Sequence, residues 1–185
     1  LTPEEANDVF LGMTLTNMVP VIEAQLGHAV PEGWKQMIMT RMMAAMATEA
    51  VPIPGALEAL RAVSALGLPW RVASNSSHDE MRVKFGRIGI SDLVAGRVHS
   101  HRDVNKGKPA PDLFLATAAA EGVAPAECVV VEDSVTGARA AAAARMDCLG
   151  YAPHGEGAAL RAVGAVPFAS MFDLPGLLAL AGAVA

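Results

Sequence analysis

The chain has 185 residues, 52% of them hydrophobic, 18% charged and 4% aromatic, with a formal net charge of −5. So apolar a composition excludes a disordered segment, and the acidic balance argues against a nucleic-acid partner, which needs a basic face. The most apolar stretch, residues 176–185, falls short of the roughly 18 residues a spanning helix requires, so no membrane partner is expected.

Residues 1–50 read as a small helical domain with almost no strand signal. Thr2-Pro3-Glu4-Glu5 places a hydroxyl cap, a proline and two acids where a helix begins. Residues 17–26 put Met18, Val21, Ile22 and Leu26 on one stripe, and Gly27 stops it. Pro31 opens a further helical stretch through Met37, Ile38, Met42 and Met46. Val51-Pro52-Ile53-Pro54-Gly55 is then a stiff connector, so residues 51–185 form the second domain.

There the rhythm alternates. A helix over 56–66 ends at Gly67, and strands are expected over 68–73, 93–98, 128–131 and 146–151. Helices are expected over 78–88, 111–121, 135–144, 157–163 and 174–183. Such alternation predicts an α/β fold, a Rossmann-like parallel sheet in three α/β/α layers. The continuous apolar runs fit strands buried on both faces. Cys128 and Cys148 sit in those runs as small core residues, neither a disulfide framework nor a zinc set. With no signal-peptide pattern, a reducing cytoplasm is the expected compartment.

Ligands of open parallel sheets bind beyond the carboxyl ends of the strands. After residue 73 comes Ser74-Asn75-Ser76-Ser77, in which Ser77 and Glu80 form a capping box. That leaves Ser74 and Asn75 at a helix mouth suited to an oxyanion or phosphate. By itself this segment reads more simply as a turn and cap. After residue 131 comes Glu132-Asp133-Ser134, two carboxylates following an apolar strand, which a cation would compensate. Hard oxygen ligands of this kind suit magnesium. Helix capping by Asp133 or Ser134 is the alternative, with the metal reading ahead of it. Lys106-Gly107-Lys108-Pro109-Ala110-Pro111-Asp112 lies between them, its prolines presenting Lys108 at a defined point. Alone, such a lysine reads as solvated.

Together, Val72-Ala73-Ser74-Asn75-Ser76, Gly107-Lys108-Pro109-Ala110-Pro111-Asp112 and Val131-Glu132-Asp133-Ser134-x-x-Gly137 resemble three of the four motifs of the haloacid dehalogenase-like hydrolases. The likeness is nearest to the branch of β-phosphoglucomutase and small sugar-phosphate phosphatases, and residues 1–50 resemble that branch's cap. The resemblance implies an Mg²⁺-dependent phosphatase acting on a small phosphorylated metabolite. In it Ser74 and Asn75 hold the phosphoryl group, Lys108 offsets charge, and Glu132 and Asp133 hold the metal. Assembly as a monomer or a homodimer is left open.

The family's first motif, a strand ending in Asp-x-Asp that supplies the nucleophile, occurs nowhere in this sequence. It is expected upstream of Leu1, on a first strand and helix of roughly 30 residues, the chain then being a truncated phosphatase. Phe10-Leu11-Gly12-Met13-Thr14-Leu15 resembles the mutases' substrate-reading loop, with Leu11 and Leu15 where mutases carry bases. That favours hydrolysis of a monophosphate over phosphomutase action. A non-catalytic phospho-ligand or partner binder is the alternative of another class. Lys35 and Arg41 read as solvated helix-face residues and Trp34 as cap core. Arg145 stands where the family has glycine, which costs on the order of 1 kcal/mol if its backbone is left-handed.

Overall fold

The computed structural model describes residues 2–155 and 157–182. Its helical first part holds α1 (Pro3–Phe10), α2 (Leu15–Leu26) and α3 (Trp34–Glu49). The start of α1 has the expected chemistry: Glu5 N donates to Thr2 Oγ1 at 3.2 Å and Thr2 N to Glu5 Oε2 at 2.7 Å. Gly27 ends α2 at φ 73°, as its position after Leu26 suggests. The third helix begins at Trp34, three residues beyond Pro31, behind a left-handed Gly33. No residue of α3 is buried, and its main contact is α5 of the following segment. Its methionines therefore form a half-covered face. Lys35 and Arg41 are exposed and Trp34 is partly buried.

Beyond the connector come α4 (Ala56–Ala65), β1 (Val72–Ser74), α5 (His78–Arg87), α6 (Ser91–Val94) and β2 (Val98–Ser100). They are followed by α7 (Asp112–Glu121), β3 (Val129–Glu132), α8 (Val135–Ala144), β4 (Asp147–Tyr151), α9 (Ala158–Arg161), β5 (Val166–Phe168) and α10 (Leu174–Gly182). The fold is α/β with a parallel sheet, as expected. Position 183 of the expected last helix lies outside the described residues.

Three details differ from expectation. The first strand starts only at Val72, because Pro69 and the Trp70–Arg71 side-chain contacts hold the preceding residues out of the ladder. The stretch 93–98 splits into the end of α6 and the start of β2, since left-handed Gly96 breaks it. β5 is not among the expected strands, because Gly164 and Pro167 interrupt its apolar stretch.

The sheet is in two parallel pieces, β1–β2 and β3–β4–β5. Val72 faces Val98 and Ser74 faces Ser100; Glu132 faces Gly150, and Tyr151 faces Phe168. Among the described residues, β1 has no partner strand on the side away from β2, and β3 none on the side away from β4.

The core lies between these strands and helices α7 and α8. Phe114, Ala118, Val130, Cys148, Leu160 and a run of α8 alanines pack into one cluster. The small alanine side chains let α8 lie close against β3 and β4. Burial on both faces, however, does not hold for β3. Val130 and Glu132 are buried, while Val129 and Val131 are 38% and 37% exposed. The reason is packing: α4 and α10 pack against each other and the 171–173 turn, leaving that face of β3 open. Burial lifts the Cys148 thiol to about 11, the property of an inert core residue.

Arg71, ahead of β1, donates to Glu121 at 2.6 Å and lies 3.1 Å from His99 Nε2 on β2. Burial, and then the Arg71 charge, push His99 below the usual 6.5, against weaker pulls from Asp103 and Glu121. As pH falls through about 6.5 the unfolded chain takes up this proton before the folded one does, so folding stability drops. The urea midpoint of His99→Gln is expected to fall less than that of the parent between pH 7.5 and 5. Parallel losses would remove the assignment.

Candidate active site at the carboxyl ends of β1 and β3

Ser74 is the last residue of β1 and Glu132 the last of β3, so both stand where a parallel sheet presents its ligand face. Lys108 joins them. Its ammonium, in a side chain only 9% exposed, donates to the Ala73 carbonyl of β1 at 3.2 Å and makes a short ion pair with Glu132 Oε1. The Phe114 ring lies beneath it, 5.3 Å to the centroid. The loop that carries it includes a cis Lys108–Pro109 peptide.

The second Glu132 oxygen accepts from Ser134 Oγ at 3.0 Å, and Ser134 Oγ in turn accepts from Gly137 N at 3.0 Å. A buried carboxylate is thus met by one cation and one hydroxyl beside the first turn of α8, where the helix dipole favours negative charge. Gly137 is indispensable there, since a side chain at that position would overlap the Glu132 carboxylate. Ser134 caps α8, one of the roles its sequence position suggests, whereas the role it shares with Gly137 around Glu132 emerges only from the packing.

Ser74 Oγ accepts from Ser76 N at 3.0 Å, and among the described residues its hydroxyl hydrogen has no acceptor. It is free to donate to a ligand. Asn75 is otherwise occupied. Its Nδ2 donates to the carbonyls of Gly12 and Lys108, each at 3.0 Å, and its Oδ1 accepts from Lys108 N at 2.9 Å. Both side-chain amide hydrogens are therefore used within the chain, which leaves the backbone N–H of Asn75, without a partner among the described residues, for the expected phosphoryl contact.

Asp133 is exposed, with no hydrogen bond or ion pair among the described residues. Of the two carboxylates expected to hold a metal, it is the one with unengaged oxygens. Both Glu132 oxygens are taken by Lys108 and Ser134. No three metal-binding side chains cluster among the described residues. The donor set fits magnesium, which takes one or two carboxylates and fills its remaining positions with water and phosphate oxygens.

Several supports were missed in the sequence. Ser100, fully buried, donates to the Ser76 carbonyl at 2.8 Å and so fixes the loop after β1. It lies two residues beyond the strand expected over 93–98, so no strand-end signal marks it. Lys84 on α5 donates to Ser76 Oγ at 2.8 Å, and burial lowers its pKa, partly opposed by Glu80. Nothing in its sequence neighbourhood marks it. The Ser77–Glu80 capping box forms as expected, with Glu80 N donating to Ser77 Oγ at 3.3 Å.

A family model for haloacid dehalogenase-like hydrolases matches residues 14–145. Among curated proteins, the chain is 40% identical over 86 residues to hexitol phosphatase A of Escherichia coli (strain K12), covering 46% of this chain and 38% of that protein. It is 52% identical over 84 residues to a fructose-1-phosphate phosphatase of the same organism, covering 44% of this chain and 43% of that protein. The chain spans less than half the length of the first curated relatives it matches. A solved hydrolase of this family from Deinococcus radiodurans R1, with bound phosphate and sodium, superposes with a TM-score of 0.78 at 33% identity. That superposition covers 98% of this chain and 82% of the other. No helix among the described residues is long and apolar enough to cross a membrane.

Proposed function

The chain belongs to the haloacid dehalogenase-like hydrolase family, and from that premise we propose that it is the body of an Mg²⁺-dependent phosphatase for a small phosphorylated metabolite, such as a sugar phosphate. The observation that carries this reading is the buried Lys108 ammonium. It spans from the Ala73 carbonyl of β1 to the Glu132 carboxylate of β3, whose facing-away edges are unpaired among the described residues. In this reading a strand carrying the nucleophilic aspartate would lie between those edges. It would bring its carboxylate to the Lys108 ammonium, which is already buried and oriented. The phosphate bound in the Deinococcus relative supports a phosphoryl ligand, and the hexitol and fructose-1-phosphate phosphatases support a sugar phosphate.

In this reading Ser74 donates its free hydroxyl hydrogen to a phosphoryl oxygen, and Lys108 neutralises charge that develops on the phosphoryl group. Glu132 holds Lys108 in place. Asp133 is the side chain that would hold Mg²⁺, which when bound offsets the negative charge of the transferring group. The aspartate carboxylate would attack phosphorus as the bond from phosphorus to the alcohol oxygen breaks, the second aspartate of the Asp-x-Asp motif giving that oxygen its proton. The same aspartate would then take a proton from the water that attacks phosphorus, releasing phosphate and the free carboxylate. Placing charges before the reaction is the main source of acceleration in such transfers. A phosphomutase needs cations for a second phosphate in the first fifty residues. Leu11 and Leu15 stand at the relevant positions, and Lys35 and Arg41 are exposed on helix faces.

The complete protein is expected to release phosphate from p-nitrophenyl phosphate and from sugar phosphates in an Mg²⁺-dependent manner. Asp133→Asn should lower kcat/KM by roughly a hundredfold or more. Undiminished turnover in that variant would remove Asp133 as the metal ligand. Isomer interconversion without phosphate release would identify a mutase, and phosphate binding without turnover a non-catalytic relative.

A further inference from the structure

Asn75 joins three parts of the chain that are far apart in sequence. Its side chain meets the Gly12 carbonyl, 63 residues away, and both the carbonyl and the N–H of Lys108, 33 residues away. The arrangement has one orientation. Lys108 N–H can only face the amide oxygen, and two carbonyls can only face the amide nitrogen. Two glycines make room for it. A Cβ at Gly107 would lie 2.7 Å from Asn75 Oδ1 and 3.0 Å from His101 Cβ. A Cβ at Gly12 would lie 2.8 Å from Ser134 Oγ and 3.3 Å from Thr136 Cβ, and Gly12 has φ +77°. The turn around Gly12 is therefore seated on the Ser134 cap of α8 and on Asn75 at once.

We propose that Asn75 is a positioning residue, a clamp that fixes the turn around Gly12 and the backbone of Lys108 in one register. The turn before α2 then lies over the end of β1 only when Lys108 is held in the place from which its ammonium reaches Ala73 and Glu132. Setting of the cation and covering of the site become one event, because both use the same amide. The consequence for turnover rests on the phosphatase reading; the clamp itself does not.

The test is hydrogen–deuterium exchange resolved at the Met13 amide, which donates to the Phe10 carbonyl, and at the Lys108 amide. In Asn75→Ala both amides are expected to exchange about tenfold faster, as for loss of one net hydrogen bond. Asn75→Asp keeps the acceptor for Lys108 N–H and loses both donors. It should keep Lys108 protected while Met13 exchanges at least as fast as in the alanine variant. Gly107→Ala, which displaces the amide without removing it, should loosen both sites and guards against misfolding of the first variant. Unchanged exchange at Met13 in Asn75→Ala and Gly107→Ala would overturn the clamp, as would equal loss at Lys108 in the aspartate and alanine variants.

In the complete protein, Asn75→Ala should lower kcat on p-nitrophenyl phosphate more than it raises KM, with partial recovery in Asn75→Asp. If exchange follows the clamp and kcat does not, the clamp stands and the phosphatase role of Lys108 falls.

Discussion

Lys108→Met lowers folding stability by about 3–5 kcal/mol, read as a shifted denaturant midpoint at constant slope. The methionine matches the length and apolar stem of lysine, so packing against Phe114 is largely kept. What is lost is, among the described residues, the only cation paired with Glu132, a carboxylate 8% exposed with one remaining partner, the Ser134 hydroxyl. An uncompensated buried charge costs far more than an intact ion pair contributes. The double variant Lys108→Met, Glu132→Leu removes both charges and should recover most of the loss. If the single variant shifts the midpoint by less than about 1 kcal/mol, the range of an exposed pair, the pair is not buried in solution. Full destabilisation in the double variant would place the effect in packing instead of charge.

Legibility in the sequence followed the strength of local signals. The helix over 135–144 was read to the residue, because Ser134 caps it, alanines fill it and the chain then reverses direction at Arg145. Arg145 does adopt the left-handed conformation, φ 58°, so the conditional cost of about 1 kcal/mol applies. The strands were harder. They have only three to five residues, too few to show a period, and the helix-breaking Gly96 and Pro69 fall inside the expected runs. The site residues Ser74, Lys108, Glu132 and Asp133 could be named from their positions after strands and from the motif resemblance. Their division of labour could not. Whether Glu132 or Asp133 keeps a free carboxylate depends on Lys108, which lies 24 residues from Glu132 and meets it only through the fold. The engagement of Asn75 depends likewise on Gly12, at the far end of the helical segment. Such long-range pairings have no local signature.

Gly137→Ala reverses the usual sign of such a substitution in a helix. In an exposed helix interior, alanine in place of glycine stabilises by roughly 1 kcal/mol. Gly137 is buried in the first turn of α8, and its φ lies outside the left-handed region, so the backbone itself would accept alanine. Space forbids it. The added Cβ would overlap the carboxyl carbon and both oxygens of Glu132. The carboxylate is no flexible end free to swing aside, because Lys108 and Ser134 hold its two oxygens. Accommodating the methyl group therefore means breaking the ion pair or pushing α8 away from β3, against the alanine packing that holds it there. The expected loss is about 3 kcal/mol or more, comparable to breaking a buried pair. A substitution at a residue with no polar side chain should thus damage the site as severely as removal of Lys108. Adding Glu132→Ala together with Lys108→Met should relieve the clash without leaving a buried charge unpaired, so the triple variant is expected to be more stable than Gly137→Ala alone. A neutral or stabilising Gly137→Ala would mean that Glu132 does not lie against the first turn of α8, and with it would go the geometry that aims Lys108.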